Sequence, residues 1–158
     1  MQWVRNHSLK IYKVQFIYSL ASFYSERISN LYFRFTQFSD YVIARALAGG
    51  IQKMVITGLK MNGCKSAVVM SKTRPNILYA AVGIHPHFVK DEWSDKSTDQ
   101  LEEMLKNPCV VALGECGLDF NKDYSPRELQ ETAFKKQVTS LLSKKMRCFT
   151  LKQKLAIK

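Results

Sequence analysis

The chain has 158 residues, with 24 lysines and arginines against 13 aspartates and glutamates, so its formal net charge is +11. This length suits one domain with a buried core, and the positive balance favours a polyanionic partner such as a nucleic acid. The four cysteines lack C-x-x-C spacing and show no secreted disulfide framework, and the longest apolar stretch near the start, residues 14–24, is too short to span a bilayer.

Residues 1–38 differ in character from the rest of the chain. They are rich in tyrosine, phenylalanine and serine, and no single hydrophobic period fits them, so disorder and helix both stay open for this atypical segment. A short strand over Leu31–Phe35 is a further option. The basic, acid-free start would suit a mitochondrial transit segment, but its apolar stretch is weak. Because thiols are normally reduced inside cells, we expect an intracellular protein, cytoplasmic or nuclear.

From Ser39 onward, helices and strands are predicted in strict alternation. Glycines, Asn-Pro and the helix-start pattern Ser125-Pro126-Arg127-Glu128 set most of the boundaries. The predicted helices are Asp40–Leu47, Asn62–Lys72, Thr98–Lys106 and a last one from Pro126 to about Leu142. The predicted strands are Lys53–Thr57, Ile77–Gly83 and Cys109–Gly114. Their apolar runs do not alternate with polar residues, which indicates an α/β fold with a parallel sheet covered on both faces.

Two of the predicted strands run into polar side chains where they end. One is followed by His85-Pro86-His87, and the other by Glu115 and, four residues later, Asp119. The carboxyl ends of parallel strands share one rim, where ligands and metals usually sit. Side-chain alternation predicts Glu115 on the same side as Val111 and Leu113, with Cys116 pointing away to pack.

The chemistry of these rim residues leaves alternatives open. Pro86 favours an extended His85, so the two histidines could point the same way, and with a carboxylate they would suit a divalent ion. Histidines bonded to backbone, a structural Glu115, and an Asp119 that caps a turn are equally consistent readings. The chain contains no G-x-G-x-x-G, Walker or G-x-S-x-G motif, which argues against a nucleotide cofactor and a serine hydrolase.

Three consecutive segments resemble landmarks of the TatD family of metal-dependent deoxyribonucleases: Val55–Gly58, Val82–His87 and Val111–Phe120. The run Gly-Glu-Cys-Gly-Leu-Asp-Phe within the last segment is the specific one. The similarity extends over roughly residues 38–145.

The resemblance implies a (β/α)8 barrel with divalent ions, Mg, Mn or Zn, at its mouth, acting on DNA phosphodiester bonds. In that family the glutamate matching Glu115 binds metal, and the segment matching His85 and His87 lines the same mouth. We therefore predict Glu115 as a metal ligand and Glu115 and His85 as catalytic. His85, His87 and Asp119 are predicted to contact the substrate.

The chain also departs from the family pattern. A complete barrel takes about 250 residues. Residues 1–38 show no convincing version of the family's first ligand-bearing strand, and no histidine follows His87. We therefore expect an incomplete barrel in residues 39–145, a basic tail in 146–158, weak metal binding, and a truncated enzyme with little or no activity. Strands Lys53–Thr57 and Cys109–Gly114 would then have unpaired edges through which the chain could self-associate.

Two other functions fit the same sequence. After Glu131 the chain has no acidic residue but eight basic ones, so a non-catalytic basic module that binds nucleic acid or protein is one alternative. The other is a different metal hydrolase on the same fold, acting on amides or phosphate monoesters, since barrels host many chemistries. The basic residues concerned are Lys135, Lys136, Lys144, Lys145, Arg147, Lys152, Lys154 and Lys158.

Overall fold

The computed structural model of the chain describes residues 14–18, 40–142 and 147–152. These residues form a five-stranded sheet in which all neighbouring strands are parallel and the strand order follows the sequence. Sequential parallel strands are the arrangement of consecutive (β/α) units in a TIM barrel, and the predicted fold class is confirmed. The strands are β1 (Val14–Tyr18), β2 (Lys53–Thr57), β3 (Leu78–Val82), β4 (Val110–Leu118) and β5 (Arg147–Lys152).

The helices agree with the predicted ones, with one addition. They are α1 (40–48), α2 (Met61–Thr73), α3 (Val89–Glu92), α4 (Ser97–Leu105) and α5 (Arg127–Leu142). The addition is α3, which directly follows a 3-10 turn over Pro86–Phe88. Within the described ranges, no helix has both the length and the apolarity that a membrane crossing needs.

The sequence underestimated the sheet at both of its edges. The prediction that β2 and β4 have unpaired edges is wrong, because β1 pairs with β2 and β5 pairs with β4. Strand β5 lies inside the segment predicted as a basic tail, because the many lysines of this segment did not indicate a strand. The pairing with β5 also extends β4 four residues beyond Gly114, so that Glu115 lies within a strand and not after one. The optional strand over Leu31–Phe35 falls outside the described residues.

The two faces of the sheet carry different apolar clusters. The larger cluster joins one face of β2, β3 and β4 to helices α1 to α5, and it includes Met54, Ile56, Cys64, Leu78, Val82, Leu101, Leu113 and Ala133. The smaller cluster, on the other face, consists of Val55, Ala81 and Ala112 with Tyr79 and Val111 against them. Helices therefore pack on one face of these strands, as they do on the outer side of a barrel.

Close backbone approaches fix how the carboxyl ends of β2, β3 and β4 fit together. A Cβ atom at Gly83 would lie 2.8 Å from the Cα atom of Gly114, so the end of β3 meets the middle of β4 without side chains between them. A Cβ atom at Gly58 would lie 2.5 Å from the Cα atom and 2.6 Å from the Sγ atom of Cys64. The Cys64 thiol in turn bonds both backbone groups of Gly83, at 3.3 Å each.

These approaches predict an unequal response of two nearby glycines to alanine. Gly58→Ala should lower the free energy of unfolding by about 1–3 kcal/mol, because the new methyl group overlaps the α2 backbone. Gly63→Ala is the matched control, since its Cβ atom would meet only the Cα atom of Gly58 at 3.8 Å. Because Gly63 lies inside a helix, its replacement by alanine should leave the free energy of unfolding unchanged or raise it by about 0.5–1 kcal/mol. Urea unfolding of both variants measures the difference, and equal losses would contradict this packing.

Candidate functional site at the carboxyl ends of β3 and β4

The register of β4 with β5 contains a bulge beside Glu115. In the register with β5, Leu113 pairs with Cys148 and Cys116 pairs with Thr150, which is three residue steps on β4 against two on β5. The extra residue falls in the segment that contains Glu115. Bulges bend a strand and re-aim its side chains, and they are frequent beside functional sites.

The expected alternation of side chains along β4 is therefore wrong. Val111 packs with the smaller apolar cluster and Leu113 belongs to the larger one, so they do not share a face with each other. The register of β3 with β4 is also irregular, between Ala80 and Ala81. This irregularity explains why Val111 and Leu113 lie on different faces. The prediction that Cys116 packs is confirmed, because it is fully buried in the larger cluster.

The most direct contact of the site joins His87 to Asp119. The Nε2 atom of His87 is hydrogen-bonded to an oxygen of the Asp119 carboxylate, whose side chain is only 2% exposed. The other oxygen accepts the N–H groups of Asn121 and Lys122, at 3.1 and 3.3 Å. Asp119 thus caps the turn after β4, which is one of the alternatives left open by the sequence, and it also orients a neighbouring histidine.

Asp119 is an ionised carboxylate in these surroundings. Burial by itself would raise its pKa, but the hydrogen bonds from His87, Lys122 and Asn121 reverse this and hold the pKa below its ordinary value. A carboxylate without its proton can only accept hydrogen bonds, so the proton of the His87–Asp119 bond lies on Nε2 of His87.

His85 differs from His87 in its backbone conformation and in its hydrogen bonds. His85 is extended as predicted, but His87 lies in the 3-10 turn, so the two rings cross at 79° with their centroids 4.4 Å apart and do not point the same way. The Nδ1 atom of His85 accepts the His87 N–H at 3.1 Å. Burial, followed by the neighbouring charge of His87, lowers the pKa of His85 to about 4. Near neutral pH this ring is uncharged, and its proton lies on Nε2.

Glu115 is a half-buried carboxylate at the same rim. Burial raises its pKa, while the positive charge of His87 acts in the opposite direction. The electrostatic neighbour of Glu115 is therefore His87, which also binds Asp119. The structure thus brings Glu115, His85, His87 and Asp119 to one rim, with His87 at the centre.

Two glutamines of α5 support this rim, and the sequence did not single them out. The Gln137 side chain bonds both backbone groups of Ile84, at 2.9 and 3.3 Å. The Gln130 side chain accepts the Asp119 N–H at 2.9 Å and donates to the carbonyl group of Ser125 at 2.7 Å. Both glutamines are 1% exposed. The available signal was their spacing of seven residues, which places them on one helix face beside Ala133.

Ser125 links the two loops of the rim. It is the first residue of the helix-start pattern, in which a serine normally caps the helix, but its hydroxyl group is engaged elsewhere. The hydroxyl donates to the His87 carbonyl at 3.2 Å and accepts the Lys90 N–H at 3.0 Å. The Ser125 side chain therefore fixes the His87 turn to the start of α5 and does not cap that helix.

The residues of this rim do not by themselves make a metal centre. Across residues 40–142 and the two short outer strands, no three histidine, cysteine or acidic side chains are grouped as ligands. The Asp119 carboxylate and the Nδ1 atom of His85 are already hydrogen-bonded within the chain. The assignment of metal binding to Glu115 stays a prediction.

Comparison with known proteins adds an independent finding. The family model described as TatD related DNase matches residues 29–149. The chain is 34% identical over 116 residues to the 3'-5' ssDNA/RNA exonuclease TatD of Pectobacterium carotovorum, covering 73% of this chain and 44% of that protein. It is 37% identical over 105 residues to the protein of the same name from Salmonella typhimurium, covering 66% and 40%. The chain thus spans less than half the length of these relatives.

Solved structures agree with the sequence matches. The crystal structure of YJJV, a TatD homolog from Escherichia coli K12, superposes with a TM-score of 0.65 at 26% identity, over 73% of this chain and 45% of that one. An uncharacterized amidohydrolase from Saccharomyces cerevisiae superposes with a TM-score of 0.54 at 20% identity, over 68% and 39%, and shows the shared fold alone.

The buried, neutral His85 predicts a specific dependence of stability on pH. Its pKa is about 4 in the folded chain against an ordinary 6.5, so the unfolded chain binds more protons between these values and acid favours unfolding there. The free energy of unfolding should therefore fall by about 2–3 kcal/mol as the pH drops from 6.5 to 4. In His85→Asn, whose amide oxygen can still accept the His87 N–H, this part of the slope should disappear. Urea titrations at several pH values test it, and parallel pH profiles for parent and variant would contradict it.

Proposed function

The chain belongs to the family of TatD related DNases, and we propose on this basis that the protein is a nuclease that hydrolyses phosphodiester bonds of DNA. The observation that carries the proposal is the rim, where His85, His87, Glu115 and Asp119 come together at the carboxyl ends of β3 and β4. The relatives are named as exonucleases for single-stranded DNA and RNA, so single-stranded nucleic acid is the substrate form to test first.

The two histidines suit the substrate phosphate in different ways. His85 is uncharged, and its Nε2–H is a hydrogen-bond donor that needs no change of protonation to meet a phosphate oxygen. The Nε2 atom of His87 is hydrogen-bonded to the Asp119 carboxylate. When the His87 ring is protonated, its second N–H group is therefore on Nδ1, and this group could donate a hydrogen bond to a phosphate oxygen. In this proposal Asp119 acts through His87 and sets its orientation and tautomer, as carboxylates do for catalytic and metal-bound histidines.

Glu115 is the group that we assign to the reaction centre. Glu115 is half-buried, and burial raises the pKa of its carboxyl group above the ordinary value, a shift that is typical of functional carboxylates. Nucleases of the TatD family are metal-dependent, and Glu115 is the residue through which this chain would contribute to metal binding. The other rim groups are engaged in internal hydrogen bonds, so a metal bound here would need ligands from elsewhere, and we expect its affinity to be low.

This proposal predicts slow degradation of DNA that depends on Glu115. With Mg²⁺ or Mn²⁺ present, the purified chain should shorten a single-stranded oligodeoxynucleotide, and Glu115→Gln should reduce the rate by roughly 10- to 100-fold. The same substitution at the exposed Glu131 of α5 is the matched control and should leave the rate unchanged. Gel analysis of end-labelled DNA measures both rates.

Three parallel substrates separate the related possibilities. An RNA of the same sequence tests the sugar, a duplex tests strandedness, and a nitrophenyl phosphate tests for monoester hydrolysis. Degradation that persists in Glu115→Gln would rule out the assigned role of Glu115. If DNA stays intact in the parent with either ion, the nuclease proposal itself is wrong, and salt-dependent binding without cleavage would point to a binding module.

A further inference from the structure

One aromatic side chain at the rim is exposed to an unusual degree. Tyr124 is 61% exposed, and its ring centroid lies 4.7 Å from that of His87, with the ring planes at 82°. Of the other large apolar side chains exposed in the described ranges, Tyr41 and Leu47 lie on α1 and Val69 lies on α2. Among these side chains, Tyr124 is therefore the one at the candidate site.

Two further aromatic rings, on the segments that follow β3 and β4, have cationic side chains over them. Arg127 lies over the Phe120 ring at 5.1 Å from its centroid, and Lys60 lies over the Phe88 ring at 4.4 Å. The charge of Lys122 is close enough to His85 to lower its pKa further. Aromatic rings interleaved with cations are the recognition elements of proteins that bind single-stranded nucleic acids, where bases stack on the rings and the cations follow the phosphates.

We infer that Tyr124 is a stacking platform for a nucleobase of the bound strand. The inference rests on the proposed function, and it adds a residue that holds the substrate by its base and not by its phosphate. One sugar separates a base from its phosphate, so a base on Tyr124 places that phosphate beside the neighbouring His87. Because every base has an aromatic face, such a contact favours unpaired nucleic acid without reading its sequence.

Binding measured without cleavage tests this assignment. With a fluorescein-labelled oligothymidylate and excess EDTA, Tyr124→Ala should weaken binding roughly 5- to 30-fold, as expected for the loss of one stacked base. Tyr124→Trp keeps an aromatic surface and should bind as well as the parent chain. Tyr41→Ala is the matched control, because Tyr41 is 62% exposed but lies on α1. Its affinity should not change.

A ligand without bases distinguishes stacking from other causes. For an abasic oligonucleotide of equal length and charge, the parent and Tyr124→Ala should bind equally, because the group that stacks is absent. An equal loss on both ligands, or no loss on oligothymidylate, would overturn the inference. Unfolding by urea should be the same for parent and variant, since the side chain is mostly exposed. The assay needs no turnover. A chain that does not cleave DNA can therefore still show the predicted loss of affinity in Tyr124→Ala, and an active nuclease can lack it.

Discussion

The bond between His87 and the buried carboxylate of Asp119 is the constraint on which the candidate site depends. It joins the turn after β3 to the turn after β4, and these are separate segments of the chain. A carboxylate that is 2% exposed is unfavourable unless it is fully hydrogen-bonded. Removing one partner from such a buried pair typically costs about 3–5 kcal/mol. The bond therefore stabilises the joint position of the two turns, which the Ser125 hydroxyl group also links.

Helix α5 supplies the support that the sheet cannot give to these turns. Beyond the last ladder bonds of β3 and β4, backbone groups are buried without strand partners, and buried N–H and C=O groups must be satisfied. Gln137 satisfies both groups of Ile84, and Gln130 satisfies the N–H of Asp119. Amide side chains on a buried helix face thus provide, just after β3 and β4, the hydrogen bonds that strand pairing provides within the sheet.

The sequence was sufficient for features that local patterns determine. Unbroken apolar runs and capping signals gave the parallel α/β order, and the bounds of β2 were as predicted. Features set by pairing between distant segments could not be read in this way. The bulge at Glu115 exists in the register with β5, and β5 lies in a stretch whose lysines suggested a tail. The roles of Gln130 and Gln137 likewise depend on which backbone groups lie opposite them, which one segment alone does not reveal.

The electrostatics of the rim connect this architecture with its chemistry. His87 influences three neighbouring groups: it contributes to the lowered pKa of His85 and Asp119, and it opposes the burial that raises the pKa of Glu115. For the two carboxyl groups this influence favours negative charge, and for His85 it adds to the burial that favours the neutral ring. In the proposed reaction an approaching phosphate would meet a neutral donor at His85, while the negative charge of Asp119 is already stabilised by internal hydrogen bonds. The hydrogen bonds that His87, Asn121 and Lys122 donate to Asp119 therefore reduce the repulsion that this carboxylate would exert on such an anion.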